Sequence, residues 1–231
     1  MASLIAVCED LFMKAFVAGA TGETGRRIVQ ELVNRKIPVR AMVRNLDTAR
    51  SILPSEAELV IGDVLDPASL PAAIGDSTVV LCATGARPSF DPTGPYKVDY
   101  EGTKNLVDAA KSKGIEQFVL VSSLCVSQFF HPLNLFFLIL VWKKQAEEYL
   151  QNSGLTYTIV RPGGLKNEDA AIPVVMSKAD TLFEGSIPRS LVAKTCVEAL
   201  FLPSARNKVV EIVANADQPE KSFDELFASV T

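Results

Sequence analysis

Short, unbroken apolar runs alternate along the chain with longer stretches in which apolar residues return every three or four positions. Residues 15–18 are apolar throughout, as a strand buried on both faces requires. Ile28, Val29, Leu32 and Val33 follow at helical spacing. Residues 37–43, 58–62, 77–82, 117–121, 156–160 and 208–213 repeat the strand pattern. Residues 47–53, 67–74, 96–113, 143–151, 191–202 and 223–230 supply the helices between and after them. Asp47 is the expected N-cap of the second helix, and Pro54 ends that run. In the helix over 96–113, Val98, Leu106, Val107 and Ala110 point toward the core, and past Lys143 the charged residues take the outer face. The alternation predicts an α/β, Rossmann-like fold: a doubly wound, mostly parallel sheet with helices on both faces. Residues 165–190 are less regular and are expected to cover the substrate side of one domain spanning 13–231.

The turn between the first strand and the first helix carries the chemistry. Gly19, Gly22 and Gly25 are spaced G-x-x-G-x-x-G. Such a turn needs residues without Cβ, to reach unusual φ and to let the backbone approach a ligand. Free N–H groups and the helix dipole then favour a phosphate. A strand before the glycines and a helix after them are the context a dinucleotide pyrophosphate site requires. Arg44 ends the second strand, about 20 residues past Gly25, where an acid would hold the ribose of NAD and an arginine suits the 2′-phosphate of NADP. A plain surface arginine is the alternative. Asp63, past the third strand, is placed to accept from an adenine amino group, with Asp66 as the cap of the next helix.

Composition narrows the classes. The chain has 231 residues, 48% of them hydrophobic, enough for a sizeable core. A formal net charge of −4 without basic clusters argues against nucleic acid as partner. Cys8, Cys82, Cys125 and Cys196 are scattered, so neither a metal site nor a disulfide framework is expected, and a reducing compartment fits. Residues 1–12 read as an N-terminal extension ahead of Met13. Residues 126–142 contain no Asp, Glu, Lys or Arg, and their apolar part is too short to span a bilayer. A buried segment, an oligomer face in a homodimer, and a patch contacting a protein partner or membrane surface are the three readings. His131, the only histidine, is read as structural.

Taken together, Gly19-Ala-Thr-Gly-x-x-Gly25, Arg44, Gly62-Asp-Val64, Val121-Ser-Ser123, Lys143 and Tyr157-Thr-Ile-Val-Arg-Pro-Gly-Gly164 resemble the atypical short-chain dehydrogenase/reductases. The NmrA-like and biliverdin-reductase-B-like groups are nearest, and residues 141–148 are similar to plant and cyanobacterial redox-sensing members. The resemblance implies an NADP(H) site. Gly19, Thr21, Gly22, Glu23, Thr24 and Gly25 would cradle the pyrophosphate, Arg44 the 2′-phosphate, and Asp63 and Val64 the adenine. Ala83, Thr84 and Gly85 would flank the adjoining ribose, with Lys143 on ribose, and Pro162 and Gly163 beside the nicotinamide. It also implies catalytic roles for Ser123 and Lys143. The family's Tyr-x-x-x-Lys pair puts both groups on one helix face, but here Ile139 stands at the tyrosine position. Hydride transfer to a flavin, quinone or tetrapyrrole, which needs little help with protons, is therefore the expected chemistry. A non-catalytic NADP(H)-binding redox sensor or scaffold, monomeric or dimeric, is the alternative. The expected compartment is the cytoplasm, or the chloroplast stroma for a plant or algal source.

Overall fold

Strand β1, Ala15–Ala18, is buried on both faces, and its alternating side chains feed two cores. Phe16 and Ala18 pack into one, Ala15 and Val17 into the other. The computed structural model describes residues 13–86 and 91–230. The extension expected over 1–12 lies outside the described residues, as do 87–90, where the sequence between the fourth strand and the helix over 96–113 reads as a proline- and glycine-containing loop over 86–97.

From β1 the chain builds outward through helix α1 (Glu23–Asn34), β2 (Val39–Val43), α2 (Leu46–Arg50), β3 (Glu58–Ile61), α3 (Leu70–Ile74) and β4 (Val79–Cys82). A six-residue π-helical segment, Tyr96–Glu101, then runs into α4 (Gly102–Ser112) and β5 (Gln117–Val121). Next come α5 (Ile139–Gln151), β6 (Tyr157–Pro162), β7 (Gly164–Lys166), β8 (Val174–Lys178), β9 (Ser186–Pro188), α6 (Arg189–Glu198), β10 (Lys208–Ala214) and α7 (Phe223–Ser229). The main sheet has the order β3-β2-β1-β4-β5-β6-β10-β8. All its pairings are parallel except that of β8, which runs antiparallel along β10. The doubly wound, mostly parallel sheet expected from the sequence is therefore present. Its strand order reverses between β1 and β4, so a crevice opens beyond Ala18 and Cys82.

Close packing at the first turn depends on glycine. Gly19 has φ 77°, and a Cβ there would lie 2.5 Å from Ala83 O. A Cβ on Gly25 would lie 2.1 Å from Gly19 O, so α1 can start against the turn only because that atom is missing. Neither partner can move aside, being backbone. Gly25→Ala is expected to lower stability by about 1–3 kcal/mol, the usual cost of overpacking. Urea unfolding checks this: an unchanged midpoint at unchanged slope would refute the packing role.

Several sequence expectations are corrected. Helix α2 starts earlier and is capped by Asn45, whose side chain accepts from Thr48 N at 3.0 Å, and not by Asp47. The run over 67–74 is helical only from Leu70, because the Asp66 side chain accepts from Ala68 N in a turn of its own. The irregular 165–190 segment holds three strands; β7 and β9 pair with each other while β8 joins the main sheet. On α5 the charges do not all face outward, since Glu147 is fully buried and Lys143 largely so. Residues 126–142 are not a buried segment. Phe130 is 95% exposed and Leu135 85%, with Phe129, Leu133, Phe136, Phe137 and Leu138 also exposed. Only its inner members, among them Leu140, join a small core cluster with Leu124, Cys125 and Val126. His131 Nδ1 accepts from Leu133 N, a turn-capping bond in keeping with its structural reading. No helix among the described residues is long and apolar enough to cross a membrane.

Candidate functional site

A cleft of about 320 Å³ lies in the crevice at the strand-order reversal. The glycine turn contributes Gly19, Thr21 and Gly22, the end of β2 contributes Met42, Val43 and Arg44, and the segment after β3 contributes Gly62, Asp63, Val64 and Leu65. The segment after β4 adds Ala83, Thr84, Gly85 and Ala86 from the opposite wall. Nine of the cofactor positions read from the sequence thus share one cavity.

Local structure explains how each is presented. Gly22 is the N-cap of α1 with no side-chain cap, so the first-turn N–H groups of this helix stay open to a ligand. The Glu23 carboxylate turns aside to Arg26 at 2.7 Å and Arg27 at 3.0 Å, which leaves only its main chain near the turn. Thr24 and Gly25 are buried behind the turn and serve its packing. Arg44 is exposed on the cleft wall and forms no ion pair among the described residues. Asp63 is held by its own turn: its Oδ1 accepts from Leu65 N at 3.0 Å and its N–H donates to Ser69 Oγ at 3.2 Å.

Such a site fits a dinucleotide. The glycines clear the backbone where a Cβ would collide, the first-turn amides are open to an anion, and the Arg44 guanidinium, with no ion pair among the described residues, borders the same cleft.

The second half of the predicted site lies deeper. Lys143 borders a small cavity together with Asp99, Thr103, Ser122 and Thr84, the last of which also lines the cleft. Its Nζ lies 2.8 Å from Asp99 Oδ1. Burial alone would depress the Lys143 pKa, but the Asp99 charge and hydrogen bonding outweigh it and hold the ammonium above the ordinary lysine range. Ser122 Oγ donates to Glu147 Oε1 at 2.5 Å. Ser123 follows it, half-buried, with a hydroxyl that makes no hydrogen bond among the described residues. Pro162 and Gly163 are buried at the end of β6 and line neither cavity. A Cβ on Gly163 would meet Gly185 O at 2.6 Å, so that glycine is needed for packing between the β6 and β9 ends.

None of the four tyrosines lines either cavity. Ile139 opens α5 behind Leu138, which is left-handed at φ 58°. Tyr96 donates to Glu101 and Tyr149 to Asp108, Tyr157 accepts from Gln151, and Tyr100 stacks near Trp142. Burial pushes the thiols of Cys82 and Cys125 up, away from nucleophilic use.

Two groups escaped the sequence reading. Asp99 continues the buried face of Ala110, Leu106 and Thr103 back by helical steps, and that periodicity could have found it. Arg161 is buried on β6, paired with Glu147 at 2.6 Å, Asp180 at 2.9 Å and Glu211 at 3.3 Å. Glu211 in turn accepts from the N–H groups of Asp180, Thr181 and Leu182. Nothing in residue spacing reports contacts so distant in the chain.

Fold and cleft together define a dinucleotide-binding α/β protein of the doubly wound class. The chain belongs to the NAD(P)H-binding family, whose model matches residues 19–203. Within it the chain falls in the NAD(P)-binding, Rossmann-type oxidoreductase family of the atypical short-chain dehydrogenase/reductase kind, near plant members. It is 52% identical over 230 residues to an uncharacterised chloroplastic protein of Arabidopsis thaliana, covering 94% of this chain and 82% of that one. It is 31% identical over 264 residues to sanguinarine reductase of Eschscholzia californica, covering 95% of this chain and 96% of that enzyme. Among solved structures, a Bacillus halodurans protein assigned to the NAD-dependent epimerase/dehydratases superposes with a TM-score of 0.83 at 27% identity, over 94% of this chain and 99% of that one.

Proposed function

We propose that this chain is an NADPH-dependent reductase that passes hydride to a large, largely apolar acceptor such as a flavin, quinone or tetrapyrrole. The observation that carries this reading is the pairing of a complete dinucleotide cleft with a chemistry end that has lysine and serine but no tyrosine. When bound, the reduced cofactor supplies the hydride; the acceptor takes its proton from water. In this reading Gly22 and the first-turn amides hold the pyrophosphate, and Arg44 holds the 2′-phosphate. Asp63 and Val64 bind adenine, Ala83, Thr84 and Gly85 flank ribose, and Lys143 donates to the ribose near the reacting end. Ser123 hydrogen-bonds the acceptor, while Pro162 and Gly163 act only indirectly, by packing the end of β6 behind that side.

In this reading the acceptor meets the apolar segment that follows β5. Phe129, Phe130 and Phe136 are exposed on the segment after β5, and Phe183 is exposed on a loop tied to it by a bond from Cys125 Sγ to Phe183 O. An exposed aromatic surface of this kind suits aromatic acceptors better than small polar alcohols. The sanguinarine reductase relative supports reductase chemistry.

The test is NADPH oxidation against a panel of flavins, quinones and linear tetrapyrroles, with Lys143→Ala as control. Turnover with one acceptor, reduced by about a hundredfold or more in the control, is the expected result for loss of a charged ribose and site contact. No turnover with any acceptor, alongside tight NADPH binding, would favour the second reading, a redox sensor or scaffold. Ile139 and the exposed segment are what speak for it: a protein partner or membrane surface, or a second copy of the chain, would cover that segment. The chloroplastic relative makes the plastid stroma the compartment to examine first.

A further inference from the structure

Asp99 is an expensive residue to place where it is. It is 2% exposed, and it sits within the π-helical segment that precedes α4. A buried carboxylate costs several kcal/mol unless it is paired and hydrogen-bonded. An apolar side chain would fill the same space next to Thr103 and Leu106 at no such cost. A π-helical segment is a distortion that is frequent at functional sites.

Its two oxygens do different things. Oδ2 accepts from Ala86 N at 3.2 Å, on the segment that forms one wall of the cleft. Oδ1 lies 2.8 Å from Lys143 Nζ, its one close polar partner among the described residues. An ammonium carries three N–H donors, so the pair holds Lys143 in place with one of them and leaves the others for a ligand. Gly85 passes over the pair, with room for a Cβ only at ordinary contact, 3.7 Å from Oδ1. Cleft wall, carboxylate and ammonium are thus joined in one line.

We infer that Asp99 is a positioning residue for the nicotinamide-side ribose: it fixes the Lys143 ammonium beside Thr84 and ties it to the Ala83–Ala86 wall, so that the lysine donors are presented to the sugar hydroxyls. This inference rests on the NADP(H) reading above. It gives Asp99 no part in proton transfer. Its charge matters more than its shape, because shape alone would be kept by asparagine.

The experiment compares two ligands by calorimetry. NADPH carries both halves of the dinucleotide; 2′,5′-ADP carries the adenine, the 2′-phosphate and no nicotinamide ribose. Asp99→Asn is expected to weaken NADPH about tenfold, the size of one lost charge-assisted contact. The same variant should bind 2′,5′-ADP as the wild type does, which also shows that the fold is intact. The double variant Asp99→Asn/Lys143→Met should bind NADPH no more weakly than Lys143→Met alone, since Asp99 acts through the lysine. Three results would overturn the inference: unchanged NADPH affinity in Asp99→Asn, equal weakening of both ligands, or additive losses in the double variant. Failure of the underlying reading looks different, because then the wild type itself binds neither ligand.

Discussion

Arg44→Glu is expected to weaken NADPH binding by about a hundredfold while NADH affinity changes by no more than about threefold. The figure has two sources. The substitution removes a charge-assisted bond to the 2′-phosphate, and it sets a carboxylate where that phosphate would lie. Arg44 is exposed on the cleft wall and has no ion pair among the described residues, so the fold loses nothing with it. A difference between the two cofactors can then come only from the phosphate. Calorimetric titration of wild type and variant with both cofactors is the measurement. Equal losses would mean that Arg44 lies elsewhere than on the 2′-phosphate, and the preference for NADPH would have to be abandoned.

Arg161→Met should produce the largest loss of stability, about 3–5 kcal/mol. Its guanidinium is buried and meets Glu147 through both Nε and Nη2, with Asp180 and Glu211 on Nη1. Methionine of similar length would leave Glu147 and Glu211 as buried carboxylates facing one another without a cation. Glu211 would still accept three backbone N–H groups, so Glu147 is the group left worst off. Urea unfolding with two probes measures the loss and tests that the transition stays two-state. A shift below 1 kcal/mol would show that the network relaxes by admitting water. The double replacement Arg161→Met/Glu147→Leu should recover part of the loss, because an apolar pair costs no desolvation.

Much of this architecture could be read from residue patterns. Strands buried on both faces announce themselves as apolar runs, and β5 falls on residues 117–121 in the sequence and in the structure alike. The glycine turn was legible because steric need allows one residue type there. Arg44 and Asp63 were legible because the fold gives strand ends a fixed place at the crevice. What was missed depended on tertiary contacts. Residues 126–142 lack charge, and the burial that composition suggests did not follow, since no other element of the described chain covers Phe130 or Leu135. Strand β8 opens with the short apolar run Val174-Val-Met176, which length alone does not mark as a strand, and only its pairing along β10 makes it one. Glu147 was read as outward by the habits of charged residues; Arg161, far along the chain, draws it in. The π-helical turn leaves no mark in side-chain spacing, since Leu106, Val107 and Ala110 keep the ordinary period after it.

The buried charges also bear on how such a chain can change over generations. Lys143 and Glu147 stand one turn apart on α5, the first facing Asp99 and the second facing Arg161. A single replacement at any of these sites strands an opposite charge in the interior. Descendants of this sequence can discard the network only through paired replacements, or through an intermediate made tolerable by added stability elsewhere. The Lys143 end of the site is thereby fastened to the fold's own survival: a lineage with no further use for the lysine at the site would still be slow to lose it.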